Sequence, residues 1–165
     1  MLCAVLLLLG VLTHAQTNIS GVINSYWEVT GIDKCNNNVT LPVTPIGLAA
    51  GDHVILIQMR GVDAEADNSP AYGSIINLSK SGNYEMFTVQ SVVFNVVTFN
   101  EVVGRLYQLA GRVQLVRVPE YSDAKVVGEV TGQPWNGITG GVIAMIVNGT
   151  LTLNENIDAK TIGFR

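Results

Sequence analysis

The chain has 165 residues, which is room for one ordinary domain, or for one domain and the beginning of a second. Hydrophobic residues make up 48% of the sequence and charged residues only 13%, about half of the roughly 25% that is typical of soluble domains. The net charge of −4 argues against a nucleic-acid partner, because such a partner requires a basic face. A weakly charged chain rich in Asn, Gly, Thr and Val instead favours extracellular β-structure.

The N-terminus has the features of a secretory signal peptide. Residues 2–12 form an apolar run, which is shorter than the roughly 20 residues that a membrane-spanning helix needs. Two small residues, Thr13 and Ala15, follow the run and suit a cleavage site after Ala15. We therefore predict that residues 1–15 are removed on export, that no segment spans a membrane, and that the mature protein is secreted or displayed at the cell surface.

Residues 16–121 are predicted to form a compact all-β domain that is barrel-like or sandwich-like. Alternating or apolar stretches bounded by Gly, Asn and Pro predict strands at 19–23, 26–29, 39–41, 53–59, 84–93, 96–99 and 113–118. The run 53–59 is almost entirely apolar, which predicts a strand buried on both faces. The runs 84–93 and 96–99 predict a hairpin that turns at Phe94 and Asn95.

One connection in this domain, residues 60–82, is longer than the roughly 12–15 residues that loops usually reach. We therefore expect it to carry function or to contain a short helical turn near residues 75–78.

Residues 122–165 are predicted to begin a β-solenoid, or β-helix. From Val126 to Arg165, short apolar strands alternate with Gly and Asn turns, and no helix-length segment lies between them. Each coil of a solenoid buries its apolar face against the next coil, so several coils are needed for a stable stack. We therefore expect the chain to be the front part of a longer protein, whose further coils would be its main partner.

Several segments occur in an order that resembles a known family. They are residues 51–59, 82–85, 113–121, 133–142, 149–153, 156–159 and 163–165. Together they resemble the N-terminal region of very large secreted Bacteroidetes proteins that carry a gliding-motility-associated C-terminal domain. The resemblance implies export to the cell surface, a long β-rich body, and an adhesin-like or surface-layer role with no established catalytic residues in this region.

The long connection also carries candidate calcium ligands. Asp63, Glu65 and Asp67 place carboxylates at alternate positions, and calcium in extracellular β-proteins binds about six to eight oxygens. However, Ser74 occupies the position where the bidentate acid of a calcium loop is expected. A solvated acidic loop is the alternative interpretation, and no other cofactor is predicted.

Asp52, His53 and Cys35 do not predict a catalytic site. A lone histidine at the start of a strand is more often an edge or turn residue than a ligand or a general base. Cys3 would be lost with the signal peptide, so Cys35 remains alone in the mature chain and cannot form an internal disulfide. We interpret Cys35 as a passive thiol in a loop.

Aromatic residues are the candidates for carbohydrate binding. They are Tyr26, Trp27, Tyr72, Tyr84, Tyr107, Tyr121 and Trp135. Aromatic side chains in β-domains more often fill the core, and we expect this of Tyr84 and Trp135. Tyr72, in the long connection, is expected to be exposed and is the candidate ligand-binding residue, with surface glycans or other cell-surface proteins as partners.

The sequence as a whole predicts a non-enzymatic structural or adhesive segment of a large exported surface protein. Two alternatives stay open. A polysaccharide-active β-helix enzyme predicts a cleft that gathers acids such as Asp52, Asp63, Glu65, Asp67 and Asp123. A carbohydrate-binding module predicts a row of exposed aromatic rings.

Overall fold

The computed structural model describes residues 16–163, so the predicted signal peptide lies outside the described residues. Within this range the chain is all-β, as the sequence predicts, with one short 3-10 helix at Leu109–Gly111 and no α-helix. The strands are β1 Thr17–Val22, β2 Ser25–Glu28, β3 Gly31–Asp33, β4 Asn38–Thr40, β5 His53–Gln58, β6 Asp63–Ala64, β7 Ile75–Asn77, β8 Tyr84–Val93, β9 Val96–Phe99, β10 Val113–Val118, β11 Glu120–Tyr121, β12 Ala124–Thr131, β13 Ile146–Val147 and β14 Leu151–Leu153. No helix in residues 16–163 has the length and apolarity needed to cross a membrane.

Seven strands form an antiparallel sheet in the order β2-β10-β5-β8-β9-β4-β3. Its two end strands, β2 and β3, follow each other along the chain, and the residues between them bond to both sides. Val29 N donates to Val113 O, and Thr30 N donates to Thr40 O, each at 2.9 Å. The segment 25–33 therefore adjoins β10 at one end and β4 at the other.

The inner face of this sheet carries the larger hydrophobic core. Val39, Val54, Leu56 and Val97 are fully buried there, and each such side chain contributes about 1.5–3 kcal/mol to folding. Phe87 and Phe99 stack in the same core with ring centroids 4.4 Å apart. The predicted hairpin is confirmed, because β8 ends at Val93 and β9 begins at Val96.

A second, parallel sheet has the order β1-β12-β14. Ala124 pairs with Leu151 and Val126 with Leu153, so the chain returns to the same position after about 27 residues. Two further contacts have almost the same offset, namely the parallel pair β11–β13 and the bridge between Val130 and Ile157. Strand β1 lies on the other side of β12, where Ile19 pairs with Val126.

The parallel sheet has its own hydrophobic core. Ile19, Ala124, Val126 and Val130 are buried in it, and Ile23, Tyr121, Ile143, Met145 and Val147 pack against them. Strand β1 lies within the predicted domain 16–121 but pairs with β12, so this strand belongs to the parallel core. The domain boundary after residue 121 stays a prediction.

Two local predictions are wrong. The expected helical turn near residues 75–78 is strand β7, which pairs with β6. Strand β5 is not buried on both faces, because Val54, Leu56 and Gln58 are buried while the residues between them are only half-buried. The strand that is covered on both faces is β10, because residues 140–144 lie across its outer face.

Candidate functional site

Three polar side chains hold an extended segment of the chain, residues 140–144: Asn24 lies just before β2, Tyr26 lies in β2, and Gln114 lies in β10. Gln114 Nε2 donates to Gly140 O at 2.9 Å, and Gln114 Oε1 accepts from Gly140 N at 2.8 Å. Asn24 makes the same pair of bonds with Ala144, at 2.6 Å to its oxygen and 3.1 Å from its nitrogen. Between them, the Tyr26 hydroxyl donates to Val142 O. We call the set Asn24, Tyr26 and Gln114 the amide slot.

The amide slot is built by strand geometry. Alternate residues of a strand point to the same face and lie about 6.6–6.8 Å apart, so Asn24 and Tyr26 match the spacing of Ala144 and Val142. Gln114 lies one step further along, since it pairs with Glu28 across β2 and β10. Residues 140–145 belong to no strand, and the slot supplies the hydrogen bonds that buried peptide groups require.

The slot is shielded from water. Gln114 is fully buried and Asn24 is 6% exposed. Burial raises the pKa of Tyr26, and the hydrogen bond from Gln133 N offsets this only in part. The hydroxyl therefore stays protonated and able to donate at any physiological pH.

Two contacts between an acidic and a basic side chain lie where the antiparallel sheet meets the parallel strands. Arg117 NH2 lies 2.8 Å from Asp52 Oδ1. Burial by itself would raise the pKa of Asp52, but the hydrogen bonds from Arg117 and from the Ala49 amide outweigh it, so the pKa of Asp52 is lowered. The same hydrogen bond has the opposite effect on its donor, because it raises the pKa of Arg117.

The second pair joins His53 to Glu120, with 3.2 Å between Nε2 and Oε2. The other oxygen of Glu120 accepts from Asn148 Nδ2 at 2.7 Å. Both acids beside the imidazole are thus engaged, Asp52 by Arg117 and Glu120 by Asn148. The arrangement links β5, β10, β11 and the turn after β13.

The structure does not gather the candidate calcium ligands into a metal site. Asp63 Oδ2 accepts from the Ser79 hydroxyl at 3.1 Å, and Glu65 Oε1 accepts from the Asp67 amide at 3.3 Å. Across residues 16–163, no group of three or more His, Cys, Asp or Glu side chains could hold a metal ion. Asp123 also has a hydrogen-bond partner, because it accepts from the Thr150 amide at 2.6 Å.

The long connection is fixed at its base by another buried glutamine. Gln58 Nε2 donates to Arg60 O at 2.8 Å and to Ser79 O at 3.0 Å, and Gln58 Oε1 accepts from Gln108 N at 2.8 Å. Beside it lies a cavity of about 300 Å³, lined by Met59, Arg60, Gly61, Val62 and Ser81. The cavity contains none of the candidate acids.

Some of the candidate aromatic residues are exposed to solvent, and others are at least half-buried. Tyr72 is 72% exposed, as expected, and its role as a ligand-binding residue stays a prediction. The expected core position of Tyr84 is wrong, because its side chain is 56% exposed and it pairs with the half-buried Ile57 of β5. Trp135 is half-buried, and Trp27 and Tyr107 pack against the larger core.

The parallel sheet ends in an open apolar layer. Ile19, Val126 and Leu153 occupy one column across β1, β12 and β14, and their exposures are 5%, 0% and 59%. Leu151 and Ile157 continue this open layer, at 37% and 40% exposed. We call Leu151, Leu153 and Ile157 the open coil face.

The amide slot is not predicted by the sequence. Gln114 interrupts the apolar run of β10, and the Gly-Gly pair 140–141 lies far away along the chain. A glutamine in a strand between Val113 and Leu115 could have indicated a buried amide with a backbone partner. Nothing in the sequence names that partner, because the contact joins residues 26 positions apart.

The comparisons with known proteins give few parallels. No protein-family model matches the chain, and no curated protein matches it. Among solved structures, similar ones are the tailspike gp61 of Pseudomonas phage phi297, with 15% identity and a TM-score of 0.39 over 70% of this chain, and the tailspike gp49 of Pseudomonas phage LKA1, with 19% identity and a TM-score of 0.36 over 88%.

A third is the Gp54 tailspike of Acinetobacter baumannii bacteriophage AP22, solved in complex with A. baumannii capsular saccharide. It has 11% identity and a TM-score of 0.41 over 82% of this chain. The chain spans 22% to 24% of the length of these three structures.

Proposed function

We propose that this chain is the head of a β-solenoid. In this proposal the antiparallel sheet is a closed, barrel-like domain, and the parallel strands are the first coils of the stack. The head serves as a non-enzymatic structural or adhesive segment of a large exported surface protein.

The open coil face is the observation that carries the proposal. The same column position is buried in the layers of β1 and β12 and is open in the layer of β14. An apolar row beside an unpaired strand edge is a surface that another strand would cover. A further coil with the same spacing of about 27 residues fits it, because it would continue the existing column.

The barrel-like closure is supported by the path of residues 25–33. This segment bonds to β10 through Val29 and to β4 through Thr30, and these two strands are each second from an end of the antiparallel sheet. β2 and β3 each pair with one neighbouring strand only, so in this proposal the continuous segment 25–33 closes the barrel between them.

Export and surface display rest on the signal-like residues 1–15, the low charge and the resemblance to secreted Bacteroidetes proteins. A structural role is supported by three acidic residues that bind other parts of the fold. Asp52, Glu120 and Asp123 are each engaged in contacts that join one part of the fold to another.

The test is a pair of lysine substitutions in the protein as its cell produces it. Leu153→Lys places a charge on the open coil face, and Val127→Lys places the same charge on an exposed residue of β12 outside the column. We expect Leu153→Lys to reduce surface display and attachment by at least about tenfold, because a buried unpaired lysine is costly, and Val127→Lys to leave both unchanged. Unchanged display and attachment in Leu153→Lys would contradict the proposal.

A further inference from the structure

We infer that the amide slot is a binding site for the main chain of an extended strand, which sets the register in which the parallel strands are laid against the antiparallel sheet. Its ligand class is an extended polypeptide, and its occupant is residues 140–144 of this chain. The inference depends only on contacts among described residues, so it holds whether or not a solenoid follows.

The slot recognises peptide groups and not side chains. All its bonds to the segment end on backbone atoms of Gly140, Val142 and Ala144. The amides of Gln114 and Asn24 each bind the nitrogen and the oxygen of one residue, as a neighbouring strand would do. Residues 140–144 are thus held by three side chains in place of a neighbouring strand, and their own backbone bond runs from Gly141 N to Gln133 O at 2.8 Å.

The backbone groups of residues 140–145 alternate in direction along the segment. This alternation allows the slot to fix the register of the segment. In an extended strand the backbone groups of residues i and i+2 point the same way, and a shift of one residue turns them to the other side. The even-numbered residues 140, 142 and 144 present their peptide groups to the slot. The odd-numbered Ile143 and Met145 pack against the core of the parallel sheet.

A shift of the segment by one residue would therefore be unfavourable for two reasons. It would leave the amides of Gln114 and Asn24 without partners in a buried site, and it would turn Ile143 and Met145 out of the parallel core. Gly140 fixes the same alignment by sterics, because its φ is +107° and a Cβ there would lie 2.6 Å from Pro134 O. Only glycine fits this position.

The chain offers a matched control in Gln58. Both glutamines are fully buried in the antiparallel sheet and both bind backbone groups. Gln58 holds Arg60, Ser79 and Gln108, which belong to the connections of the antiparallel sheet itself. Gln114 holds Gly140, which leads into the parallel strands.

The experiment measures amide hydrogen exchange in Gln114→Leu, Gln58→Leu and the unmodified chain. In Gln114→Leu we expect exchange in residues 140–153 to be at least about tenfold faster, with β5 and β8 within about twofold. In Gln58→Leu we expect faster exchange in residues 60–82, with residues 140–153 unchanged. Unchanged exchange of residues 140–153 in Gln114→Leu, or an equal increase in both sheets, would overturn the inference.

Tyr26→Phe provides a milder variant that keeps the ring and removes only the hydroxyl. We expect a several-fold increase in exchange confined to residues 141–147. No change in this segment would count against the slot. This outcome is separable from the solenoid proposal, which is tested on the open coil face and not on the slot.

Discussion

The β1 and β14 edges of the parallel sheet differ in how far they bury the same column of side chains. At the β1 edge Ile19 is 5% exposed, whereas at the β14 edge Leu153 is 59% exposed. Both are aliphatic residues in short strands, and both pair with Val126. The difference lies in what surrounds each edge.

At the β1 edge the chain passes within two residues from β1 into β2, so the antiparallel sheet follows directly. Asn24, in this short connection, binds Arg117 O and the backbone of Ala144. No equivalent set of contacts covers Leu151 and Leu153 among the described residues. Burial of an apolar strand thus depends on its next layer and not on its own composition, which is why solenoid repeats are stable only as a stack.

The largest expected effect comes from a charge in the middle layer. Val126→Asp would place a carboxylate at a fully buried position between β1 and β14, and we expect it to cost at least about 4 kcal/mol of unfolding free energy or to unfold the parallel strands. Urea denaturation measures this cost. Val127→Asp, at the neighbouring exposed position, is the control and should change stability by less than about 0.5 kcal/mol.

A smaller effect should be confined to the β14 side. Asp123→Ala removes the acceptor of the Thr150 amide, and we expect a loss of about 1–2 kcal/mol with faster hydrogen exchange at residues 146–153. Asp33→Ala is the matched control, because Asp33 accepts from the Cys35 and Asn36 amides in the turn between β3 and β4. A loss of protection in β14 in the control variant would show that the effect is not local.

The smallest effect concerns pH at the junction of the two sheets. The folded-state pKa of Asp52 is lowered, so its contribution is present above the unfolded pKa of about 3.9 and is lost as the pH falls below it. Asp52→Asn should cost about 0.5–1 kcal/mol at pH 7, since solvent screens the partly exposed Arg117.

The difference between Asp52→Asn and the unmodified chain should shrink as the pH falls from about 5 to 3, because protonation then removes from the unmodified chain the charge that the variant already lacks. Thermal unfolding across this range measures the difference. Because the pKa values of Asp33, Glu101 and Asp158 are also lowered, both proteins should lose stability in acid. A constant difference across the range would contradict the assignment to Asp52.

The sequence predicted the elements whose determinants are local. The hairpin of β8 and β9 follows from alternation on both sides of Phe94 and Asn95, and β10 ends at Val118 because Pro119 follows it. The alternation of short strands and turns after residue 126 predicts that the chain returns to the same column, but it does not predict the spacing of about 27 residues. The pairing of β1 with β12 could not be predicted, because it joins residues about a hundred positions apart.

The candidate site was largely beyond sequence reasoning. The acids of the long connection, Asp63, Glu65 and Asp67, attracted attention through their spacing, yet the fold leaves them in separate local contacts. No role was predicted for Asn24 and Gln114, although they are buried polar residues that join the antiparallel sheet to the segment leading into the parallel strands. Both side chains bind the backbone of residues 140–144, and only the tertiary fold brings that segment next to them.

The most direct test of the difference between the two edges is a matched truncation within one column. Ile19→Ala and Leu153→Ala are each measured by urea denaturation against the unmodified chain. We predict a loss of about 2–4 kcal/mol for Ile19→Ala, because it empties a buried site, and less than about 1 kcal/mol for Leu153→Ala, because most of that side chain already contacts water. Equal losses for the two variants would contradict the account of a parallel sheet whose column of side chains is covered at β1 and open at β14.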